Sequence, residues 1–319
     1  MGERVIYFEK ASEATKAFIN QYRNPEDQVF YWQELSEREQ KECLGRATCL
    51  VIATFKITAE LINGAPNLKL IQRAGIGLDN VDLKAAKERG IQVANTPGVN
   101  AVSVAELTIG FILSLYRKIS FMNEATQEGK WLMWEYRPFM HEMNGKVHGI
   151  LGMGNVGREV AKRSKAFNTQ ALYYDAYRLS VEQEKELGIE FSTLERILTE
   201  SDILSVHIPL LEETRNLIGE NELSKMKKDA ILINVARGNI VDEEAVAKAL
   251  QEGTLAGAAF DTFAVEPFEL SSPLANCPNV ILTPHIAGGT LDVLKEGIKR
   301  SFENIRRIEK GEILVGGVK

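Results

Sequence analysis

The stretch Val147-His148-Gly149-Ile150-Leu151-Gly152-Met153-Gly154-Asn155-Val156-Gly157 decides how this chain reads. An apolar run leads into glycines at 152, 154 and 157, the G-x-G-x-x-G spacing of a strand that turns tightly into a helix. The first glycine lets the chain turn, the second lets a pyrophosphate approach the backbone, and the third lets helix pack on strand. The N–H groups that open the helix, from Asn155 and Val156 onward, then face an anion together with the positive end of the helix dipole. A second apolar run, Gln170–Tyr174, ends at Asp175, eighteen residues past Gly157. An acidic residue there accepts hydrogen bonds from an adenosine ribose and repels a 2′-phosphate. The expectation is a dinucleotide site that prefers NAD to NADP.

On both sides of this fingerprint, strand-like and helix-like segments alternate, which predicts parallel sheets covered by helices. Upstream the strand-like runs are Val5–Phe8, Val29–Trp32, Cys49–Thr54, Leu68–Arg73 and Ile91–Ala94. Helical patterns separate them; one opens with a capping box, Ser36 with Glu39, and another runs from Asp82 to Arg89 and stops at Gly90. Downstream, Tyr173–Tyr174, Ile203–Val206, Ile231–Val235, Ala256–Phe260 and Val280–Leu282 continue a second series. About 30 residues follow, too few for a domain of their own. Among them Thr290–Gly311 reads as an amphipathic helix, with Val293, Leu294, Ile298, Phe302, Ile305 and Ile308 on one face. That face needs a partner, and the helix is expected to pack back on the N-terminal part. The fold class that follows is α/β with two doubly wound parallel-sheet domains. A Rossmann NAD domain at residues 100–288 is inserted into a domain made of 1–99 and 289–319. A long apolar helix near Asn100–Ser120 makes the first crossing, and Gly288–Gly289 is the return hinge.

At 319 residues the chain suits two domains rather than one core. A net charge of −6, with no basic run of five, gives no reason to expect nucleic acid. Cys43, Cys49 and Cys277 form neither a Cys-x-x-Cys pair nor a zinc spacing, so reduced thiols and no metal are expected. The most apolar stretch, Ala101–Tyr116, contains Glu106 and is too short to span a bilayer. The opening residues lack a signal-peptide core. The reading is a cytoplasmic protein with neither a membrane nor a nucleic-acid partner.

Hydride transfer from a nicotinamide needs a group that holds the substrate and an acid–base residue for the hydroxyl proton. In doubly wound folds such groups sit at the C-terminal ends of strands. That rule selects Arg237 after Ile231–Ala236, Asp261 and Glu266 after Ala256–Phe260, and His285 after Val280–Pro284. Histidine suits the acid–base role because it titrates near neutrality. Of the other histidines, His141 lies in an irregular segment, His148 inside a strand where packing explains it better, and His207 at a strand end before Pro209. A carboxylate beside an imidazole orients the ring and favours its protonated form, the role open to Glu266. Glu266 reads equally as part of a surface turn before Pro267, and Arg237 as the partner of some carboxylate. The functional reading of Arg237 is a forked donor to an α-keto acid.

These residues resemble the D-isomer-specific 2-hydroxyacid dehydrogenases, in the branch of phosphoglycerate dehydrogenases and glyoxylate/hydroxypyruvate reductases. The resemblance extends over essentially the whole chain. It is carried by Arg73-Ala-Gly-Ile-Gly-Leu-Asp-Asn-Val-Asp82, Asn95-Thr-Pro-Gly98, the glycine fingerprint with Asp175, and His207-Ile-Pro-Leu210. Ile233-Asn-Val-Ala-Arg-Gly238, Gly257-Ala-Ala-Phe-Asp-Thr-Phe263 with Glu266-Pro267, and Thr283-Pro-His-Ile-Ala-Gly288 complete it. It implies an NAD-dependent enzyme interconverting a small D-2-hydroxy acid and its 2-keto acid, in which 1–99 and 289–319 form a flavodoxin-like, substrate-binding (catalytic) domain. In the implied triad His285 exchanges the proton, Glu266 holds His285, and Arg237 binds substrate and polarises its carbonyl. It also implies that backbone N–H groups of the Gly75-Ile76-Gly77 loop receive the substrate carboxylate, which suits an anion nest. Asp261 would sit near the nicotinamide carboxamide, with His207, Pro209, Val235, Ala236 and Gly288 lining the cofactor cleft. Members pair as homodimers through the NAD domain, using the helix that corresponds to Asn100–Ser120.

Phosphoglycerate dehydrogenases typically carry an arginine in the segment that reads Val51–Lys56 here, where Ile52, Ala53, Phe55 and Lys56 stand instead. The chain departs from that reading, and Lys56 stays open as a contact for a phosphate or sulfonate. The aromatic segment Trp131–Phe139 fits a site wall, a subunit contact or packing under a loop. A different class, an NAD(H)-responsive binding module like a corepressor, predicts a degraded catalytic set or interaction extensions, neither of which is seen.

Overall fold

The computed structural model describes residues 2–318. They form two compact units, one reaching to Asn100 and resuming at Thr290, the other Ala101–Gly289.

The first unit alternates β1 (Arg4–Tyr7), α1 (Glu13–Tyr22), β2 (Gln28–Tyr31), α2 (Glu37–Leu44), β3 (Cys49–Ile52), α3 (Ala59–Asn63), β4 (Leu70–Arg73), α4 (Leu83–Glu88) and β5 (Gln92–Ala94). Each helix begins where a short polar side chain accepts a backbone N–H: Ser12, Ser36, Thr58 and Asp82 cap them in turn. Ser36 and Glu39 complete the expected capping box. The strands run parallel in the order β2-β1-β3-β4-β5, the flavodoxin-like arrangement. With helices on both faces, the central strand β3 is apolar and buried at every position.

The second unit opens with α5 (Ala101–Arg117), α6 (Ile119–Gln127) and α7 (Met133–Tyr136). It continues through β6 (Val147–Leu151), α8 (Asn155–Ala166), β7 (Gln170–Tyr174), α9 (Val181–Leu187), β8 (Ile189–Phe191), α10 (Leu194–Glu200) and β9 (Ile203–Val206). Then come α11 (Glu220–Leu223), β10 (Ile231–Asn234), α12 (Glu243–Gln251), β11 (Gly257–Phe260) and β12 (Val280–Leu282). All seven strands are parallel in the order β8-β7-β6-β9-β10-β11-β12, a doubly wound Rossmann sheet with one added strand. The order reverses between β6 and β9, and a crevice at that switch point is where such sheets bind ligands.

The chain returns to the first unit as α13 (Leu291–Lys310) and β13 (Gly317–Val318). Thr290 caps α13, and Gly311 ends it at φ 67°. Its buried face, Ile298, Phe302 and Ile305, packs with Val5, Tyr7, Ile19 and Leu70, the burial the amphipathic pattern required.

Three local expectations change. The apolar helix near Asn100–Ser120 is broken, because Lys118 adopts φ 51° and separates α5 from α6. Trp32 opens a 3₁₀ turn rather than ending β2. The strands β8 and β13, three and two residues long, were unexpected because such short edge strands carry no readable alternation. Among the described residues no helix is long and apolar enough to cross a membrane.

Candidate active site

The fingerprint is a steric requirement. Gly152 sits at φ 95°, and a Cβ there would lie 2.8 Å from the His207 carbonyl. A Cβ on Gly157 would fall 2.0 Å from the Gly152 oxygen, forcing α8 away from β6. Gly154 differs: it caps α8 without a side-chain hydrogen bond, and a Cβ on it meets nothing within 4 Å. The backbone at the start of this helix is thus open to a bulky anion, the fit a dinucleotide pyrophosphate needs. Asp175, just beyond β7, accepts from the Met153 N–H at 2.6 Å and the Tyr177 N–H at 2.9 Å, tying the turn to the strand end.

Behind the fingerprint lies a buried polar chain that the sequence concealed. His148 is fully buried, its Nδ1 2.7 Å from Ser164 Oγ and its Nε2 2.9 Å from Ser205 Oγ. Ser205 Oγ also meets His207 Nε2 at 2.9 Å, and Ser164 Oγ meets Thr169 Oγ1 at 2.7 Å. Thr169 donates to the Ser164 carbonyl, so its oxygen must accept from the Ser164 hydroxyl. Ser164 then has no proton left for His148, whose Nδ1–H donates to it. A neutral His148 has a bare Nε2 that accepts from Ser205, and His207 Nε2–H donates to Ser205 in turn. His207 Nδ1 is left as a buried lone pair without a partner among the described residues.

Burial pushes both imidazoles down to about 3, with the neighbouring His148 adding to the shift at His207. The sign follows from linkage. The unfolded chain takes up these protons near pH 6.5, so stability is fully present above that value and lost as pH falls towards about 3. For His148 the loss is about 1.4 kcal/mol per pH unit. Urea unfolding between about pH 7.5 and pH 5 should show a slope to which both imidazoles contribute, and His148→Gln should make it shallower by the His148 share. Equal slopes in the two proteins would refute the assignment.

The three candidate catalytic residues leave neighbouring strand ends. β10, β11 and β12 pair with Asn234 opposite Phe260 and Phe260 opposite Leu282. The turn after β10 is shaped by buried Asn234, which donates to the Arg237 carbonyl at 3.0 Å and accepts from the Ala236 N–H at 3.1 Å. Gly238 lets this turn press on the next loop, since a Cβ on it would fall 1.9 Å from the Phe263 oxygen. In that loop Glu266 accepts the Phe263 N–H at 3.0 Å through Oε1 and meets His285 Nδ1 at 2.8 Å through Oε2. Because an ionised carboxylate only accepts, Nδ1 carries the hydrogen and Nε2 is free for chemistry. His285 holds φ 53°, a conformation few non-glycine residues adopt and one often found at functional sites.

Asp261 underlies this arrangement. Fully buried, it accepts from Thr283 Oγ1 at 2.5 Å and from the N–H groups of Ile286 and Ala287 at 2.8 Å each. Its oxygens thus clamp the segment that carries His285.

In the first unit, the Gly75-Ile76-Gly77 loop follows β4. Thr96 donates to the Gly75 carbonyl at 3.0 Å through its N–H, and Asn95 Nδ2 donates to the Ile76 carbonyl at 2.8 Å. Across each planar trans peptide, the N–H groups of Ile76 and Gly77 are therefore turned to the opposite side. The neighbouring loop after β3 is braced by Glu9, which takes the N–H groups of Ala53, Thr54 and Phe55. Phe55 packs on Phe8, ring centres 4.6 Å apart, which gives it a core role.

Residues 109–287 match the family model for the D-isomer specific 2-hydroxyacid dehydrogenase, NAD binding domain. The chain belongs to the D-isomer-specific 2-hydroxyacid dehydrogenases. As such it is an NAD-dependent oxidoreductase that interconverts a D-2-hydroxy acid and its 2-keto acid. It is 40% identical over 265 residues to a glyoxylate reductase of Korarchaeum cryptofilum, spanning 82% of this chain and 79% of that one. It is 39% identical over 283 residues to a hydroxypyruvate reductase of Thermotoga maritima, spanning 88% and 89%. The apo structure of D-mandelate dehydrogenase from Rhodotorula graminis superposes with TM-score 0.88 at 26% identity, covering 100% of this chain and 98% of that one.

In this dehydrogenase the remaining expected cofactor residues fall around the same strand ends. His207 and Pro209 follow β9, while Val235 and Ala236 follow β10, with Val235 buried in the same apolar cluster as Ala287. Gly288 lies in the bend closed by the Gly289 N–H on the Ile286 carbonyl at 2.7 Å. Sequence reading missed Asn234, which shapes its own turn, and also Glu9 and the Ser164–His148–Ser205 chain, which act through distant partners. No cluster of histidine, cysteine and acidic side chains able to hold a metal occurs among the described residues.

Proposed function

We propose that this dehydrogenase reduces small, singly charged 2-keto acids of the glyoxylate and hydroxypyruvate type with NADH. The observation that carries the mechanism is the Glu266–His285 hydrogen bond of 2.8 Å, which fixes Nδ1 as donor. His285 Nε2–H then gives its proton to the keto oxygen during reduction and takes it back during oxidation. Glu266 balances the charge on the ring and holds its plane. Arg237 offers its fork to the substrate carbonyl and carboxylate. The Ile76 and Gly77 N–H groups receive the substrate carboxylate. The nicotinamide, when bound, supplies or takes the hydride. Gly152, Gly154 and Gly157, with the N–H groups of Asn155 and Val156, receive the pyrophosphate, and Asp175 receives the adenosine ribose hydroxyls. His207, Pro209, Val235, Ala236 and Gly288 line the rest of the nucleotide. Asp261 sits near the nicotinamide carboxamide and fixes the segment that carries His285, its oxygens holding Thr283, Ile286 and Ala287.

The substrate class is supported by the names of the relatives and by the segment Val51–Lys56, which carries Ile52, Ala53, Phe55 and Lys56 and no arginine for a phosphate. The test is NADH oxidation with glyoxylate, hydroxypyruvate, pyruvate, phenylpyruvate, 3-sulfopyruvate and 3-phosphohydroxypyruvate. Turnover of the first two supports the reading. Turnover confined to the phosphorylated or sulfonated acid would overturn it and bring Lys56 forward.

We further propose a homodimer formed through the NAD-binding unit. Trp131, Trp134 and Phe139 are 76%, 64% and 61% exposed, an apolar cluster that a lone copy leaves in water. Light scattering should give twice the chain mass, and Trp134→Glu with Phe139→Glu should halve it. A monomeric wild type would sink the idea. A cytoplasmic location is supported by three free thiols, and cell fractionation tests it.

A further inference from the structure

NAD and NADP differ by one phosphate on the adenosine 2′ oxygen, close to doubly charged near neutral pH. In doubly wound folds an acidic residue beyond the second strand selects the free ribose, whereas a nearby arginine accommodates the phosphate. This chain has both. Arg178 stands three residues after Asp175 and is the only cation between Asp175 and Ser180. Its guanidinium is already engaged: Nε donates to Glu184 Oε1 at 2.8 Å and Nη2 to Glu184 Oε2 at 3.0 Å. The plane also lies over the Phe191 ring, 5.0 Å from its centre.

Glu184 is built for this grip. It is 8% exposed, and Oε1 takes a second hydrogen bond, from the Tyr173 hydroxyl at 2.7 Å. That hydroxyl in turn accepts the Leu179 N–H at 2.9 Å, which pins the loop just past Arg178. Hydrogen bonds from Arg178 and then Tyr173 hold the Glu184 carboxyl down to about 2, so the pair stays ionic at any working pH. Arg178 itself is 55% exposed along its side chain, within reach of a ligand. Asp175, Arg178 and Glu184 together carry one net negative charge, and Glu182 adds a second to the segment. A 2′-phosphate there meets repulsion, and the fork that would bind it faces Glu184 instead.

We propose that Glu184 is a positioning residue that masks a latent 2′-phosphate site by holding Arg178, so that the Glu184–Arg178 pair and Asp175 together enforce NAD over NADP. The proposal rests on the placement of the adenosine ribose at Asp175. Its test compares the wild type with Asp175→Asn, Asp175→Asn/Glu184→Ala, and the triple variant that adds Arg178→Ala. Two quantities are read: the NADPH-to-NADH ratio of kcat/KM on one keto acid, and calorimetric binding of 2′,5′-ADP against 5′-AMP without substrate. Asp175→Asn should raise both preferences. Adding Glu184→Ala should raise them a further ten- to hundredfold, roughly the worth of a charge-assisted hydrogen bond, and Arg178→Ala should take that second gain away. If Glu184→Ala unsettles the loop, Glu184→Gln keeps the Tyr173 contact while removing the charge and should give a smaller gain in the same direction. No second gain, or one that survives Arg178→Ala, overturns the masked site while leaving Asp175 in place. An Asp175→Asn variant with unchanged preference overturns both readings.

Discussion

Alanine at position 285 should lower kcat by roughly 10²–10⁴, the usual worth of general acid–base catalysis, while NADH still binds. The expectation rests on the division of labour within the ring, where Nδ1 is fixed on Glu266 at 2.8 Å and Nε2 is left for the substrate. NADH binding should survive because the fingerprint turn and Asp175 are held by their own contacts. Backbone strain must be separated from chemistry, since position 285 holds φ 53°. His285→Asn does this, because asparagine tolerates the left-handed region better than alanine yet exchanges no proton. Equal losses in the two variants place the effect in the imidazole. Near-wild-type kcat in either would remove His285 from the acid–base role.

The second large effect is expected from Asp261→Ala, a residue that the proposed chemistry never touches. Three donors lose their acceptor at a fully buried site: Thr283 Oγ1 and the N–H groups of Ile286 and Ala287. Stranding them costs about 3 kcal/mol or more, by analogy with other buried charged acceptors. Because these donors flank His285, the imidazole shifts, and a misplacement of about 1 Å costs roughly 10²-fold in rate. Both thermal stability and kcat should therefore fall together. Asp261→Asn should fall part of the way, as its amide can satisfy Thr283 and Ile286 but turns a donor toward Ala287. A stable, fully active Asp261→Ala protein would show that the segment is held by other means.

Much of this could be read along the chain because its causes are local. Apolar runs of four or five residues bounded by turns marked most strands, and Ser36 with Glu39 marked a helix start that needs only its own turn. The break at Lys118 was hidden because nothing in Arg117-Lys118-Ile119 demands a positive φ. The roles of His148 and Asp261 were hidden for a different reason. His148 looked like packing because its partners, Ser164 and Ser205, lie on another helix and another strand. The clamp made by Asp261 stayed hidden because the segment it holds begins 22 residues further along.

By itself the sequence determined the alternation of elements, the glycine positions and the residue types at the strand ends. Those depend on backbone sterics and on burial pattern, which neighbouring residues already decide. Tertiary structure decided which atoms are committed. Pairing of β11 with β12 brings Glu266 onto Nδ1 of His285, and the fold around β7 turns Arg178 onto Glu184. Hydrogen bonds of about 3 Å with fixed direction depend on where distant strands and loops come to rest, and only the folded chain sets that.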